Sequence, residues 1–262
     1  MSCPDCRKGT ILPGEPTGSI APNGAYFAPG PSGTKSRAVI LLTDIFGLPL
    51  VNSKLLADHF SKKLQCDVWV PDQFNGNPPF GVDSMKFPEK AGDKLEILPF
   101  LVGLIPALPA LIRNRPSVVF ARDKSFIEAL QAEKKYEKLG TVGYCFGGSM
   151  ALKLAGTDLV NSAVVCHPGP MSEQDVMDIK VPSSWVCAEE DMTFKPKLRQ
   201  RAEEILASRK GKDEFTEYEF KDYKGTTHGF AARPNLGYPE VKVGYEGALE
   251  QVVQWFEKTL PV

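Results

Sequence analysis

The sequence predicts an α/β fold, a single domain on a mostly parallel sheet with helices on both faces. Three observations carry this. Strand-like and helix-like runs alternate along the whole chain, as repeated βαβ units require. The inner strand-like runs are continuously apolar, which suits strands covered on both faces. And 262 residues, 42% apolar and 24% charged, are enough to bury one sizeable core. Residues 1–19 are expected to be a flexible N-terminal segment and residues 20–262 the domain. A formal net charge of −1 and the lack of a basic stripe argue against a nucleic-acid partner.

The N-terminus has no apolar stretch of the kind a secretory signal needs, so a reducing cytosol is the expected compartment. Six cysteines in a chain of this length do not form a disulfide scaffold. Cys66, Cys166 and Cys187 fall in or beside apolar strand-like runs and are expected to be inert. Cys3-Pro-Asp-Cys6 is a C-x-x-C without the two further ligands that a zinc site requires, so no metal site is expected.

Taken in order, Ala25–Pro29 reads as an edge strand and Gly30–Lys35 as a turn-rich connector. Arg37–Thr43 is a buried strand that ends in Asp44-Ile45-Phe46-Gly47. Asn52 or Ser53 is expected to cap a helix through Leu64, with Leu56, Phe60, Lys63 and Leu64 on one face. Cys66–Asp72 is the next strand, and Gln73–Gly81 a loop rich in Pro, Gly and Asn. Ile97–Ile112 has no charge and carries Pro99, Pro106 and Pro109. It is too short and broken for a membrane span and reads as short apolar helices. These either cover the core, the slightly favoured reading, or wall a substrate pocket or an oligomer interface.

Asp123–Lys135 is predicted helical, Lys138–Tyr144 a strand and Gly147–Leu154 a helix. Asn161–Cys166 and Val181–Ala188 are further strands, and Pro196–Arg209 a helix with Gly211 past its end. Glu214–Phe220 alternates charged and apolar residues, as an outer strand does, and Thr226–Phe230 is read as a loop. Tyr245, Leu249, Val252, Val253 and Phe256 mark a closing helix.

Chemistry concentrates at Gly143-Tyr144-Cys145-Phe146-Gly147-Gly148, between a strand and a helix. The pattern G-x-Nu-x-G is a nucleophile elbow, here with cysteine as the nucleophile. Glycines at 143 and 147 let the crowded backbone pass, and a helix N-terminus beneath the side chain favours an anion. In such sheets, functional groups gather at the carboxyl ends of the strands. Cys145, Asp191 and His228 each stand there, in the order nucleophile, acid, histidine that α/β-hydrolases use. His228 would take the Cys145 proton, and Asp191 would hold the imidazole tautomer. The backbone N–H groups of Phe146 and Ile45 are the expected oxyanion donors. Glu189 and Glu190 rival Asp191 but would need the strand to end earlier and reach differently, and His167 rivals His228 but precedes the acid in the chain and is followed by rigid Pro168; Asp191 and His228 are preferred.

Together with Asp44-Ile-Phe-Gly47, Val70-Pro-Asp72, Glu189-Glu-Asp191 and His228-Gly-Phe-Ala-Ala-Arg233, the elbow resembles the dienelactone hydrolase (carboxymethylenebutenolidase-like) family of α/β-hydrolases. The likeness runs from about Ile20 to the C-terminus. It implies a Cys145-His228-Asp191 triad that hydrolyses enol-lactones and related esters through an acyl-enzyme, without a cofactor. Two positions depart from the bacterial pattern: Asp44 stands where a glutamate helps to control the cysteine, and Gly76 where an arginine binds the substrate carboxylate. Arg233 is a second candidate for that carboxylate. Phe46, Tyr144, His167 and Phe230 are the further candidates for binding or modulating the substrate.

The function expected is thus a cytoplasmic hydrolase of small esters or lactones. The alternatives are a redox or ligand-sensing protein that uses Cys145 without turnover, or an acyl transferase or thioesterase. A small-molecule substrate is the expected partner, with no nucleic acid and no membrane, and both monomer and homodimer fit the sequence.

Overall fold

In the computed structural model, residues 11–31, 35–82 and 87–262 are described. The Cys3/Cys6 pair and part of the Gly30–Lys35 connector lie outside them. Eight strands form one sheet: β1 (Ser19–Ile20), β2 (Tyr26–Ala28), β3 (Arg37–Leu42), β4 (Asp67–Val70), β5 (Lys138–Tyr144), β6 (Ser162–Cys166), β7 (Ser183–Glu190) and β8 (Tyr218–Thr227). Their spatial order is β1-β2-β4-β3-β5-β6-β7-β8. The β1/β2 and β2/β4 pairs are antiparallel, and every other pair is parallel.

The strands β3 and β5 consist almost wholly of residues that bury on both faces, as a parallel sheet wrapped by helices demands. On one face, α1 (Asn52–Leu64) and α7 (Pro239–Thr259) pack Leu56, Phe60, Val252 and Phe256 against Val39, Leu41, Val142 and Val164. On the other, α3 (Pro116–Lys134) and α4 (Phe146–Ala155) pack Ile127, Leu130, Met150 and Leu154 against Ile40 and Leu42. There α5 (Glu173–Met177) and α6 (Pro196–Ala207) cover β6 and β7, with Trp185 at the centre of a third cluster. From β3 the chain crosses outward to β4, then returns to β5 on the other side. The carboxyl ends of β3 and β5 therefore flank a topological switch point, where a crevice opens naturally.

Within residues 11–18, Leu12 is buried and its N–H donates to Asn52 Oδ1 at 2.9 Å, while the Thr17 N–H donates to Asp58. Several expectations need correction. Val51, rather than Asn52 or Ser53, occupies the cap position, and the Asn52 side chain bonds the Leu12 N–H and the Ala232 carbonyl. Lys63 is exposed while Leu56, Phe60 and Leu64 are buried. β2 is not the outermost strand, because the two-residue β1 pairs outside it. The α3 helix begins at Pro116, seven residues before the predicted start at Asp123. β8 begins later than Glu214 and runs on through Thr227, so His228 sits directly at a strand end.

The largest difference is Ile97–Ile112. It belongs to one continuous helix, α2 (Ile97–Arg113), with Pro106 and Pro109 inside it. It does not cover the sheet core. Of its apolar residues Ile97, Leu98, Leu101, Val102, Ile105, Leu108 and Ile112 are exposed, whereas Ala107 is buried in a small cluster with Phe46, Leu50 and Phe80 above the strand ends. No helix among the described residues is long and apolar enough to cross a membrane.

Candidate active site

The elbow is a steric construction. Cys145 takes φ +52° and ψ −115°, a conformation a residue with a Cβ adopts only when its surroundings force it. A Cβ on Gly143 would lie 2.0 Å from the Gly147 carbonyl oxygen, and one on Gly147 would lie 2.3 Å from the Leu42 carbonyl oxygen. Only two glycines let the turn between β5 and α4 lie this close to β3. The Cys145 N–H donates to the Cys166 carbonyl at 3.2 Å and its own carbonyl accepts from Gly169 at 2.7 Å, so the turn is pinned from β6 as well. Cys145 is 9% exposed and borders a cavity.

His228 follows β8, and its N–H donates to the Glu190 carbonyl at 3.2 Å. The register of β8 against β7, shifted by a bulge between Ala188 and Glu190, brings it alongside Asp191. His228 Nδ1 lies 2.9 and 3.0 Å from the two Asp191 carboxylate oxygens. Cys145 borders the same cavity as His228 and is the neighbour that raises the ring's pKa most. Burial alone would draw the imidazole pKa down; Cys145 and Asp191 outweigh it and hold it up at about 10. Burial pushes Asp191 the other way, but the bond to His228, its charge and the N–H groups of Phe194 and Thr193 keep the carboxyl well below the usual range. Glu189 and Glu190 are not rivals in space: they bind Lys224, Gly225 and Gly92 on the exposed side.

Thr193 was not foreseen. Its hydroxyl lies 2.8 Å from Asp191 Oδ1, 2.8 Å from the Pro168 carbonyl and 3.1 Å from His228 Nδ1. Asp191 Oδ1 also accepts from the N–H of Thr193 at 2.8 Å and of Phe194 at 2.9 Å. An Asp at a strand end with Thr two residues on is the signal for such a turn.

On the β3 side, Gly47 N–H donates to the Asp44 carbonyl at 3.1 Å and Phe46 N–H to Asp44 Oδ1 at 3.0 Å. This tight turn leaves the Ile45 N–H without an acceptor among the described residues, and the Phe146 N–H at the start of α4 has none either. Both residues line the cavity beside Cys145. Asp44 and Arg233, two separate candidates in the sequence, pair with each other: Arg233 Nε donates to Asp44 Oδ2 at 2.9 Å, both side chains buried. Burial raises the Asp44 carboxyl above its ordinary range, and Arg233 pulls it part of the way back. The guanidinium lies over the rings of Phe46, 4.8 Å away, and Phe87, 5.1 Å away.

The remaining candidates stand behind the site. Tyr144, on the opposite strand face from its neighbours Gly143 and Cys145, and Phe230 both belong to the α1–α7 core and do not line the cavity. Gly76 lies on the exposed loop after β4, away from it. His167 takes φ +33° and is fully buried, with neither ring nitrogen bonded within the described residues. Its ring meets His228 edge-on at 5.2 Å. Burial, and then His228, hold its imidazole well below the ordinary range, so it is neutral. The cavity, about 180 Å³, is roofed by Phe100, Leu104 and Leu111 of α2 and by Phe80 and Phe87. Of the described His, Cys, Asp and Glu residues, no three cluster as a metal site would.

A mostly parallel sheet with helices on both faces and an elbow at its switch point is the α/β-hydrolase fold. The model of the dienelactone hydrolase family matches residues 24–260, and the chain belongs to that family and is a hydrolase. It is 28% identical over 258 residues to the hydrolase pyvD of Aspergillus violaceofuscus, covering 97% of this chain and 96% of that one. It is 27% identical over 229 residues to the human carboxymethylenebutenolidase homolog, covering 85% and 82%. The fold is shared with a putative dienelactone hydrolase from Klebsiella pneumoniae, at a TM-score of 0.68, 14% identity and coverage of 89% and 92%.

Proposed function

We propose that the protein hydrolyses small esters or lactones in the cytosol through an acyl-enzyme on Cys145. The observation that carries this reading is the Asp191–His228 pair, with His228 and Cys145 side by side at one apolar cavity. His228 already holds the proton given up by Cys145, and the thiolate sulfur attacks the carbonyl carbon of the substrate. The oxygen that becomes negative accepts hydrogen bonds from the N–H groups of Ile45 and Phe146. As the tetrahedral adduct collapses, the imidazolium gives its proton to the departing alkoxide or enolate oxygen. Water then attacks the thioester, His228 takes its proton, and the acid leaves as the sulfur is released. Asp191 and Thr193 keep Nδ1 engaged, so that the other ring nitrogen faces Cys145 throughout.

The sensing alternative finds less support. The nearest cysteine along the sheet, Cys166, points into the α1–α7 core, and burial pushes its thiol well up. A resolving thiol needs the opposite environment. The test is hydrolysis of a small activated ester and of an enol-lactone by the wild type and by Cys145→Ala. The variant should lose at least about 10³-fold in kcat; full activity would end the assignment.

A further inference from the structure

We propose that the site selects an uncharged, ring-sized ester or lactone and discriminates against substrates that carry a carboxylate. This rests on the reading of Cys145 as the nucleophile and adds the substrate class. The size follows from the cavity: it measures about 180 Å³, and a cavity of about 150 Å³ lined by Leu, Ile and Phe accepts one benzene ring. The neutrality follows from the charges. Its walls are Phe80, Phe87, Phe100, Leu104 and Leu111, and the cations that border it among the described residues are His228 and Arg233.

Each of these cations already holds a buried carboxylate, His228 to Asp191 and Arg233 to Asp44, both at 2.9 Å. The Arg233 guanidinium also lies against the rings of Phe46 and Phe87, 4.8 and 5.1 Å away. A carboxylate entering this space loses its water and meets no unpaired positive charge, while a neutral ring gains by burial. Asp44 thus occupies, from within the protein, the place at Arg233 that a substrate carboxylate would take.

The experiment compares kcat/KM for phenyl acetate and para-carboxyphenyl acetate, each divided by its hydroxide-catalysed rate. The wild type should favour the neutral ester by at least about tenfold, and Asp44→Asn, which leaves Arg233 unpaired, should narrow that ratio by a similar factor. Equal rates, or preference for the charged ester, in the wild type would overturn the proposal. Binding of the products to Cys145→Ala, followed by ligand-observed NMR, reads the cavity without turnover. Phenol should bind, and para-hydroxybenzoate should bind at least about tenfold more weakly. Absence of phenol binding, or equal binding of the two, would also overturn it. If Cys145→Ala retained turnover, the nucleophile reading would fall, while the binding ratio would still decide the substrate class.

Discussion

At the elbow, Cys145 is held by β5, α4 and β6 at once, with neighbouring backbone where any Cβ at Gly143 would sit, 2.0 Å from the Gly147 oxygen. Along α2, side chains such as Leu101 and Ile105 project into solvent, and among the described residues of the helix only Ala107 is buried. The two regions face each other across one cavity. The first fixes where the reacting atoms stand and tolerates almost no change. The second closes the space above them with apolar bulk and few constraints. Chemistry and selectivity thus rest on parts of the fold with very different tolerance to substitution.

The comparison breaks most sharply at Gly143. Gly143→Ala should destabilise the fold by more than about 4 kcal/mol, visible as a lower denaturant midpoint or loss of soluble protein. Near-native stability would mean that the elbow is looser than its backbone contacts indicate.

A second effect concerns charge. Cys145 is the largest influence raising the His228 pKa, so Cys145→Ala should lower it. In the wild type, NMR should find His228 still protonated through neutral pH, with its transition near 10. The sign for stability follows. A histidine held above its unfolded value of about 6.5 stabilises the fold fully below that pH, and the contribution is lost as pH rises toward the folded value. In Cys145→Ala, stability should therefore fall less between these two values than in the wild type. An unchanged His228 titration in the variant would separate the histidine from the cysteine.

The smallest effects belong to α2. Leu104→Ala should change kcat/KM between small and ring-bearing esters by a few-fold, since Leu104 lines the cavity. Leu101→Ser, on the outer side, should leave that ratio unchanged. Equal responses would deny that the two faces of α2 differ in role.

How much of this the sequence revealed depends on distance along the chain. The elbow was legible because its parts are adjacent: strand, glycine, cysteine, glycine and helix within a dozen residues. Asp191 and His228 were legible because strand ends announce themselves, even though β8 begins at Tyr218, later than the expected Glu214. The Asp44–Arg233 pair joins residues 189 apart, and no local pattern couples them. Ile97–Ile112 differs from its sequence expectation for another reason. An uncharged helix shows no polar face in its sequence, so periodicity could not tell which side met the cavity and which met water. Thr193 escaped because its role depends on two other side chains brought together by the β7–β8 register.

The most direct test of the central claim is to trap the acyl group. Wild-type protein mixed with an activated ester and quenched in acid should carry one acyl adduct, mapped by peptide mass spectrometry to Cys145, and Cys145→Ala should carry none. Turnover by the wild type with no adduct at Cys145, or with an adduct on another residue that persists in Cys145→Ala, would contradict it.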